Sequence, residues 1–390
     1  MLTLVACSLA AWPADPPKLP PPYHTPSVTN GPRVVPQPDG VAIRVPQGFT
    51  VSEFASGFAK PRYLVEGPRG EIFVTDSVKD GSVFVLSDAN RDGRIDGTEK
   101  KKLLGGLDRP FGMALWKNYL YVAEATSIKR YPYNAKAREA GPAEEIVPLA
   151  GDGQGHWTRT LLFDAKGAKL YVGIGSASNV DPGGPEYRAA VLRFNPDGSG
   201  REVVAGGLRN PVGLAWSPES RQLWASVQER DGLGDDLVPD YFTSVRPGAF
   251  YGWPYAYIGP NEEPRNKGQR PDLVAKTAVP DVVLQPAHVA VMDARFYTAR
   301  QFPSKYRNGA FLALRGSSNR AKRAGYSIAF IPFRDGKPDG PQEEFLTGFM
   351  LNPESKDVWG RPVGLLVRKD GSMLMSEDAG NKVYWIRHGE

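Results

Sequence analysis

The stretch PRYLVEGPRGEIFVTD, residues 61–76, decides the fold. A proline opens a short apolar run, a glycine-containing turn interrupts it, and a second apolar run ends in an acidic residue. Two short strands joined by a tight turn read this way. The same order returns in PFGMALWKNYLYVAE from Pro110, HWTRTLLFDAKGAKLYVGIG from His156 and PVGLAWSPESRQLWASV from Pro211. It returns again in HVAVMDARFYTA from His288, which leads by a longer path to GAFLALRG, and in PVGLLVRKDGSMLMSE from Pro362. Further apolar runs follow: SVFVLS, SIKRYPY, AAVLRF, YSIAFIPF and KVYWIRH. No long stretch carries helical periodicity. Self-similar units of four strands arranged radially make a β-propeller. The repeats therefore predict an all-β, six-bladed β-propeller with four-stranded blades over residues 41–390. A β-sandwich array is the alternative, but unequal repeats around one aromatic-rich core suit the propeller better. The long gaps after the fourth and fifth repeat starts imply loop insertions at DGLGDDLVPDYF and NEEPRNKGQR.

Composition agrees. The 390 residues are 41% hydrophobic, which supplies a globular core. Gly (43) and Pro (36) are abundant, as many short elements joined by turns require. The net charge of +5 suits a soluble basic surface or an anionic partner, and no lysine- and arginine-rich block points to nucleic acid. The single cysteine, Cys7, excludes an internal disulfide, a cysteine-built zinc site and a covalently attached haem.

Residues 1–40 read as a leader remnant followed by an extended proline-rich linker. LVAC, ending at Cys7, resembles a bacterial lipobox, which implies a lipid anchor at Cys7 and a periplasmic or otherwise extracytoplasmic location; an ordinary apolar N-terminus is the alternative. Beyond it no apolar run is long enough to span a bilayer.

SDANRDGRIDGTEK, residues 87–100, fits the twelve-residue calcium loop of EF-hands. Asp88, Asn90 and Asp92 offer side-chain oxygens, Arg94 its carbonyl, Asp96 a water-mediated contact and Glu99 a bidentate carboxylate. GSVFVLS before it reads as a strand, and the glycines at 105 and 106 leave little room for a helix after it. The loop is thus expected to connect strands in the first blade, either around calcium or as an Asx-rich turn held by its own hydrogen bonds.

In a propeller the innermost strands begin near the axis on one face. That gathers Arg109, His156, Arg159, Arg209, Asn210, His288 and Arg361 at a channel mouth. His156 follows the glycine-rich GDGQG and is the leading general-base candidate; His288 is equally a site residue or a structural one. Arg209, Arg361 and Arg320, beside repeat starts or strand ends, suit an anionic cofactor. No G-x-S-x-G, zinc motif or dinucleotide turn is present, so any hard chemistry falls to a bound cofactor or metal.

Several motifs, in order, carry a resemblance: GHWTR, GLRNPVGLAW, ERDGLGDDLVPDYFTSVRPGAFYGWPY, FYTARQFPSKYRNGAF, GSSNR with GYSIAFIPF, and WGRPVG. Together they resemble the pyrroloquinoline quinone (PQQ)-dependent sugar dehydrogenases, especially the L-sorbosone dehydrogenase-like branch, from about residue 48 to 389. The resemblance implies PQQ and Ca2+ at the channel mouth. His156 would take the hydroxyl proton of a sugar, polyol or sugar aldehyde, with the hydride passing to PQQ and on to a separate electron acceptor. Arg209 and Asn210 would bind the cofactor, as would Arg320 and Arg361, with Arg159 and His288 beside them. The cofactor's calcium would be held partly by backbone carbonyls of Glu229, Arg230 and Asp231. Two departures stand out. The step before DGLGDD is Glu229-Arg230 rather than Gly-Pro or Gly-Arg, and the branch's HGSWNR is RGSSNR, with Arg315 for histidine and Ser318 for tryptophan. A calcium-dependent lactonase and a non-catalytic carbohydrate- or protein-binding propeller are the other readings.

Overall fold

In the computed structural model, which describes residues 18–149 and 155–389, each repeat is an antiparallel pair and each pair opens a sheet. The innermost strands are Pro61–Glu66, Met113–Trp116, Arg159–Phe163, Pro211–Trp216, Val291–Phe296 and Pro362–Val367. Each packs on the next, and the sixth returns to the first. The chain is a six-bladed β-propeller of four-stranded blades, the second with a split outer strand. At Pro110, His156 and His288 the strand starts three residues after the repeat does. Those leading residues form the loops at the mouth.

The insertion DGLGDDLVPDYF, expected as a loop, runs into a strand. Tyr241–Ser244 is the third strand of blade 4 and pairs with Trp224–Val227. Its apolar run is short and follows Pro239, which hides it in the sequence. NEEPRNKGQR carries a short strand, Asn261–Glu262, and a 3-10 turn, Pro264–Asn266, before the helix Pro271–Ala275.

Hydroxyls tie the blades together. Inner strands bulge after their opening proline, and a second-strand hydroxyl accepts the displaced amide. Tyr63 N donates to Thr75 Oγ1 (2.9 Å), Gly213 N to Ser226 Oγ (3.0 Å) and Gly364 N to Ser376 Oγ (2.9 Å). The same hydroxyls reach the neighbouring blade: Thr75 Oγ1 donates to the Phe111 carbonyl and Ser376 Oγ to that of Arg62. Glycine is needed there because the blades meet backbone to backbone. A Cβ on Gly364 would lie 2.0 Å from the Arg62 carbonyl oxygen.

The ring closes through the N-terminal strand. Phe49–Ala55 is the outer strand of blade 6 and pairs with Lys382–His388, from Phe49 opposite His388 to Ala55 opposite Val383. Phe49 is inserted edge-on among Phe302, Tyr306 and Phe345, with ring centroids 4.7–5.6 Å away. The described part of the proline-rich segment lies along the mouth-side loops. Tyr23 N donates to the Leu233 carbonyl, Asn30 N to that of Ser318, and Arg33–Val34 pairs with Asp357–Val358.

Below the mouth the channel is plugged. Arg295 donates to carbonyls of Leu214, Ala294 and Leu365, on three blades, pairs with Asp293 (2.9 Å), and lies over the Tyr63 ring. Tyr63 in turn donates to the Leu161 carbonyl. A cavity of about 560 Å³ opens beneath, lined by Met113, Leu162 and Trp216 among others, and shares no lining residue with the mouth. No described helix is long and apolar enough to cross a membrane.

Truncating Phe49 empties the joint of the closing strand. Phe49→Ala is expected to cost about 3–5 kcal/mol in urea-unfolding stability.

Candidate functional site

The mouth is a cavity of about 160 Å³ with polar walls, lined by His156, Arg209, Asp231, His288, Arg315 and Arg361, with Glu229 and Asp240 at its edge. Residues from four separate repeats or their loops, the third to the sixth, meet there because the ring puts the strand starts at one place.

His156 precedes the inner strand of blade 3. Its Nδ1 lies 3.0 Å from both the carbonyl and the hydroxyl of Ser176. A carbonyl only accepts, so Nδ1 carries the proton and Nε2 keeps its lone pair. Ser176 Oγ is itself turned to the Ser178 carbonyl. Burial, aided by Arg209 and Arg188, pushes the imidazole down to about 3, so it is neutral at physiological pH. Its backbone is fixed from beneath: Arg159 Nη1 and Arg188 Nη2 both donate to the His156 carbonyl (2.7 and 2.9 Å), and Arg188 also holds those of Gly175 and Ser176. A Cβ on Gly175 would stand 2.3 Å from Asn210 Oδ1 and 2.5 Å from His156 Cβ, so this close approach requires glycine. The glycine-rich segment before His156 lies mostly outside the described residues, as does Cys7.

On the next wall Arg209 donates to the Asn179 carbonyl and side chain and to the Glu229 carbonyl, and lies 3.9 Å from Asp231. Asn210 donates to Gln228, while its Oδ1 is buried without a partner. His288 faces acceptors on both nitrogens, Asp231 Oδ1 at 3.3 Å and the Gly234 carbonyl at 3.0 Å. Burial lowers this imidazole, but the two hydrogen bonds outweigh it and raise it above its ordinary value. With both ring nitrogens committed to acceptors, His288 clamps Asp231 rather than serving as a base. Glu229 is fully buried, which drives it up to about 8 despite Arg209, so it keeps its proton at neutral pH. Arg361 lines the far wall, donating to the Arg315 and Gly316 carbonyls.

Three expected members lie elsewhere. Arg159 has no exposed surface and donates to the backbone carbonyls of His156 and Thr158. Arg320 does not line the cavity; it staples loops by donating to the carbonyls of Asp235, Ala287 and Lys322. Arg109, expected at the mouth, pairs with Asp108 and lies against Trp157. Sequence reasoning missed Arg188, Asn179 and Asp378. Arg188 and Asn179 act on backbone groups, for which no motif exists, and Asp378 follows the last repeat directly, a position that offered a signal.

For metal, each of the three expected carbonyls already accepts one hydrogen bond. Glu229 O takes Arg209, Arg230 O takes the Val238 amide and Asp231 O takes Asn179 Nδ2. The Arg230 side chain is buried against Glu263, 3.5 Å away. Among the described residues no three His, Cys, Asp or Glu side chains converge as a metal cluster. The 88–99 loop joins the third and fourth strands of blade 1. Its acceptors serve its own amides: Asp88 takes Gly93 N, Asn90 takes Asp92 N, Asp92 takes Arg94 N, Asp96 takes Thr98 N and Glu99 takes Ala89 N. Asp88 Oδ1 alone is buried without a partner.

The propeller fold is shared with known proteins. The sequence profile of the TrAA12-like family matches residues 43–239 and 262–389, and the chain belongs to that family. An uncharacterized protein of Borreliella burgdorferi is 32% identical over 361 residues, covering 88% of this chain and 90% of that one. The aldose sugar dehydrogenase YliI of Escherichia coli is 30% identical over 172 residues, 38% of this chain and 42% of that protein. Among solved structures, the calcium structure of the Trichoderma reesei family AA12 enzyme superposes with a TM-score of 0.77 at 20% identity, covering 93% of this chain and all of that one. The holo PQQ domain of Coprinopsis cinerea pyranose dehydrogenase gives 0.74 at 20% identity, with the same coverage.

The buried Glu229 carboxyl sets a stability trend. Its ordinary value is 4.5 and its folded value about 8, so its contribution is full at low pH and lost as pH rises through that window. Wild type is expected to lose Tm relative to Glu229→Gln between pH 5 and 8, with the difference level above pH 9, measured by scanning calorimetry.

Proposed function

We propose that the chain oxidises a sugar, polyol or sugar aldehyde with PQQ at the channel mouth, as a member of the L-sorbosone dehydrogenase-like branch. The single observation that carries the reading is His156, neutral, with Nδ1 turned to Ser176 and the residue lining the mouth cavity beside Arg209. PQQ is a tricarboxylate, and the donor chemistry fits it: Arg209 and Arg361 present fixed cations at the cavity. When bound, PQQ supplies the hydride acceptor. His156 takes the proton from the substrate hydroxyl at Nε2, and the Ser176 carbonyl shares the charge that then forms on the ring. Arg188 and Arg159 keep the imidazole in place during the transfer. Calcium beside PQQ would draw on the remaining lone pairs of the carbonyls at 229–231. The electrons would then pass to a separate acceptor.

Purified protein supplied with PQQ and Ca2+ is expected to bleach an artificial electron-acceptor dye with an aldose or sugar aldehyde. His156→Ala is expected to lower kcat by about 10²–10⁴-fold while PQQ still binds. No bleaching over a broad sugar panel together with no PQQ binding would sink the reading, and sugar binding unchanged by His156→Ala without any turnover would favour the carbohydrate-binding propeller.

The 88–99 loop is proposed as a second, structural calcium site, supported by the buried, partnerless Asp88 Oδ1 at its first position. The loop joins blade 1 to the closing strand: Ile95 N donates to the Phe54 carbonyl, and Gly93 packs on Trp385 so closely that a Cβ would lie 2.2 Å from the ring. A cation there reinforces ring closure. Chelation is expected to lower the Tm of wild type but not of Asp88→Ala; equal responses refute the site.

A further inference from the structure

Two loops of the mouth are joined by a segment from outside the propeller. Residues 19–31 precede the part of the chain that matches the family profile, which begins at residue 43. The first half of the segment crosses the loop 231–236 of blade 4. Leu19 packs on the apolar cluster that holds Leu233 and Leu237, and Tyr23 N donates to the Leu233 carbonyl (2.8 Å). Thr25 Oγ1 accepts from Asp235 N (2.7 Å), and a Cβ on Gly234 would lie 2.7 Å from the Thr25 carbonyl oxygen. The second half crosses the loop 315–323 of blade 5. Asn30 N donates to the Ser318 carbonyl (2.7 Å), and Asn30 Nδ2 to those of Arg320 and Ala321 (3.2 and 2.8 Å). The buried Arg323 guanidinium locks this end, donating to Asn30 Oδ1, to the Gly31 carbonyl and to the Ser355 carbonyl before blade 6.

Both halves lead to one side chain of the cavity. Gly234, against Thr25, gives its carbonyl to His288 Nε2 (3.0 Å), and His288 Nδ1 meets Asp231 Oδ1 at 3.3 Å. Asn319, next to the carbonyl that Asn30 holds, also interacts with the Asp231 carboxylate. Asp231, His288, Ser318 and Asn319 line the mouth, whereas Thr25 and Asn30 do not. Neither loop belongs to a sheet ladder, so its shape rests on contacts of this kind. The segment is suited to the task. Pro20, Pro21, Pro22, Pro26 and Pro32 fix φ along it, which lowers the entropy lost when it docks.

We propose that residues 19–31 are a strap that positions Asp231 and the two loops around it, so that docking of the strap and filling of the mouth reinforce each other. Thr25 and Asn30 are positioning residues, acting through Gly234 and His288 on one side and through Ser318 and Asn319 on the other. Such coupling is reciprocal: the factor in affinity that a docked strap gives to a ligand of the mouth is the factor that the ligand returns to docking. The strap is read from contacts alone, and only its effect on the cofactor rests on the PQQ reading.

Hydrogen–deuterium exchange of the full chain tests the strap without any ligand. The informative amides are those of 228–232 and 286–290, to which the strap makes no hydrogen bond among the described residues. In the double variant Thr25→Val/Asn30→Ala they are expected to exchange about tenfold faster than in wild type, while the inner strands keep their rates. Arg33→Ala, which removes only the pair with Asp357 beyond the strap, is expected to leave both regions unchanged. Thr25→Val alone, nearly isosteric, carries the same comparison if the double variant does not fold. PQQ with Ca2+ is expected to slow exchange at 23–31 in wild type and to bind about tenfold more weakly to the double variant in a fluorescence titration. Unchanged exchange at 228–232 and 286–290 overturns the proposal, as does an increase no larger than in Arg33→Ala. PQQ binding that is the same in wild type and the double variant overturns it too. Failure of PQQ to bind wild type sinks the oxidation reading alone, because the exchange comparison is made without it.

Discussion

The pairing of Phe49–Ala55 with Lys382–His388 is the constraint on which the rest depends. A blade buries its faces only against neighbours, so six blades in an open row would leave two faces wet. Joining the first strand of the propeller to the last removes both. It also fixes where the inner strands point. Once the ring is shut, the residues opening those strands have to meet at one place, and a site can be assembled from positions as distant as His156 and Arg361 without any local motif. The aromatic packing of Phe49 and the calcium-like loop of blade 1 both act on this same joint.

The electrostatics of the mouth follow from burial under that arrangement. Charged groups brought to the axis lose water, and each is then governed by its partners. His156 has cations near it and is pushed down by burial; His288 has Asp231 and a carbonyl and is raised. The same residue type is thus shifted in opposite directions at one mouth. Glu229 and Asp378 diverge likewise, one without a strong donor to its Oε1 and one held by two guanidinium groups. Arginine dominates the mouth because its fork satisfies carbonyls of adjacent blades while keeping its charge, which lysine does not do in the same geometry.

Much of the fold was legible because a propeller repeats itself. The proline that opens an inner strand, the glycine where blades touch and the hydroxyl under the bulge recur with the period of the fold, so Pro211-Val212-Gly213 and Pro362-Val363-Gly364 announce the same contact twice. Tyr241–Ser244 was not legible, since Pro239 and a run of aspartates precede a strand of only four residues. In the site, His156, Arg209 and Arg361 could be read from repeat position. Arg159 and Arg320 could not be told from pocket residues, because one-dimensional adjacency does not say on which side of a strand end a long side chain turns. Arg188 and Asn179 were invisible, since they serve the backbone of other residues and carry no pattern of their own.

The plug formed by Arg295 and Tyr63 has a kinetic meaning. A channel open at both ends would let a reductant enter at one side and its oxidant at the other. Here Arg295 is tied to the carbonyls of three blades, and the cavity below it shares no wall with the one above. The plug leaves the mouth side as the doorway among the described residues. On the proposed oxidation, the spent sugar has to vacate that doorway before the electron acceptor can approach, so the two partners visit in turn and compete for the same unliganded surface. On that reading, alternation would follow from the packing of one arginine rather than from the reacting groups.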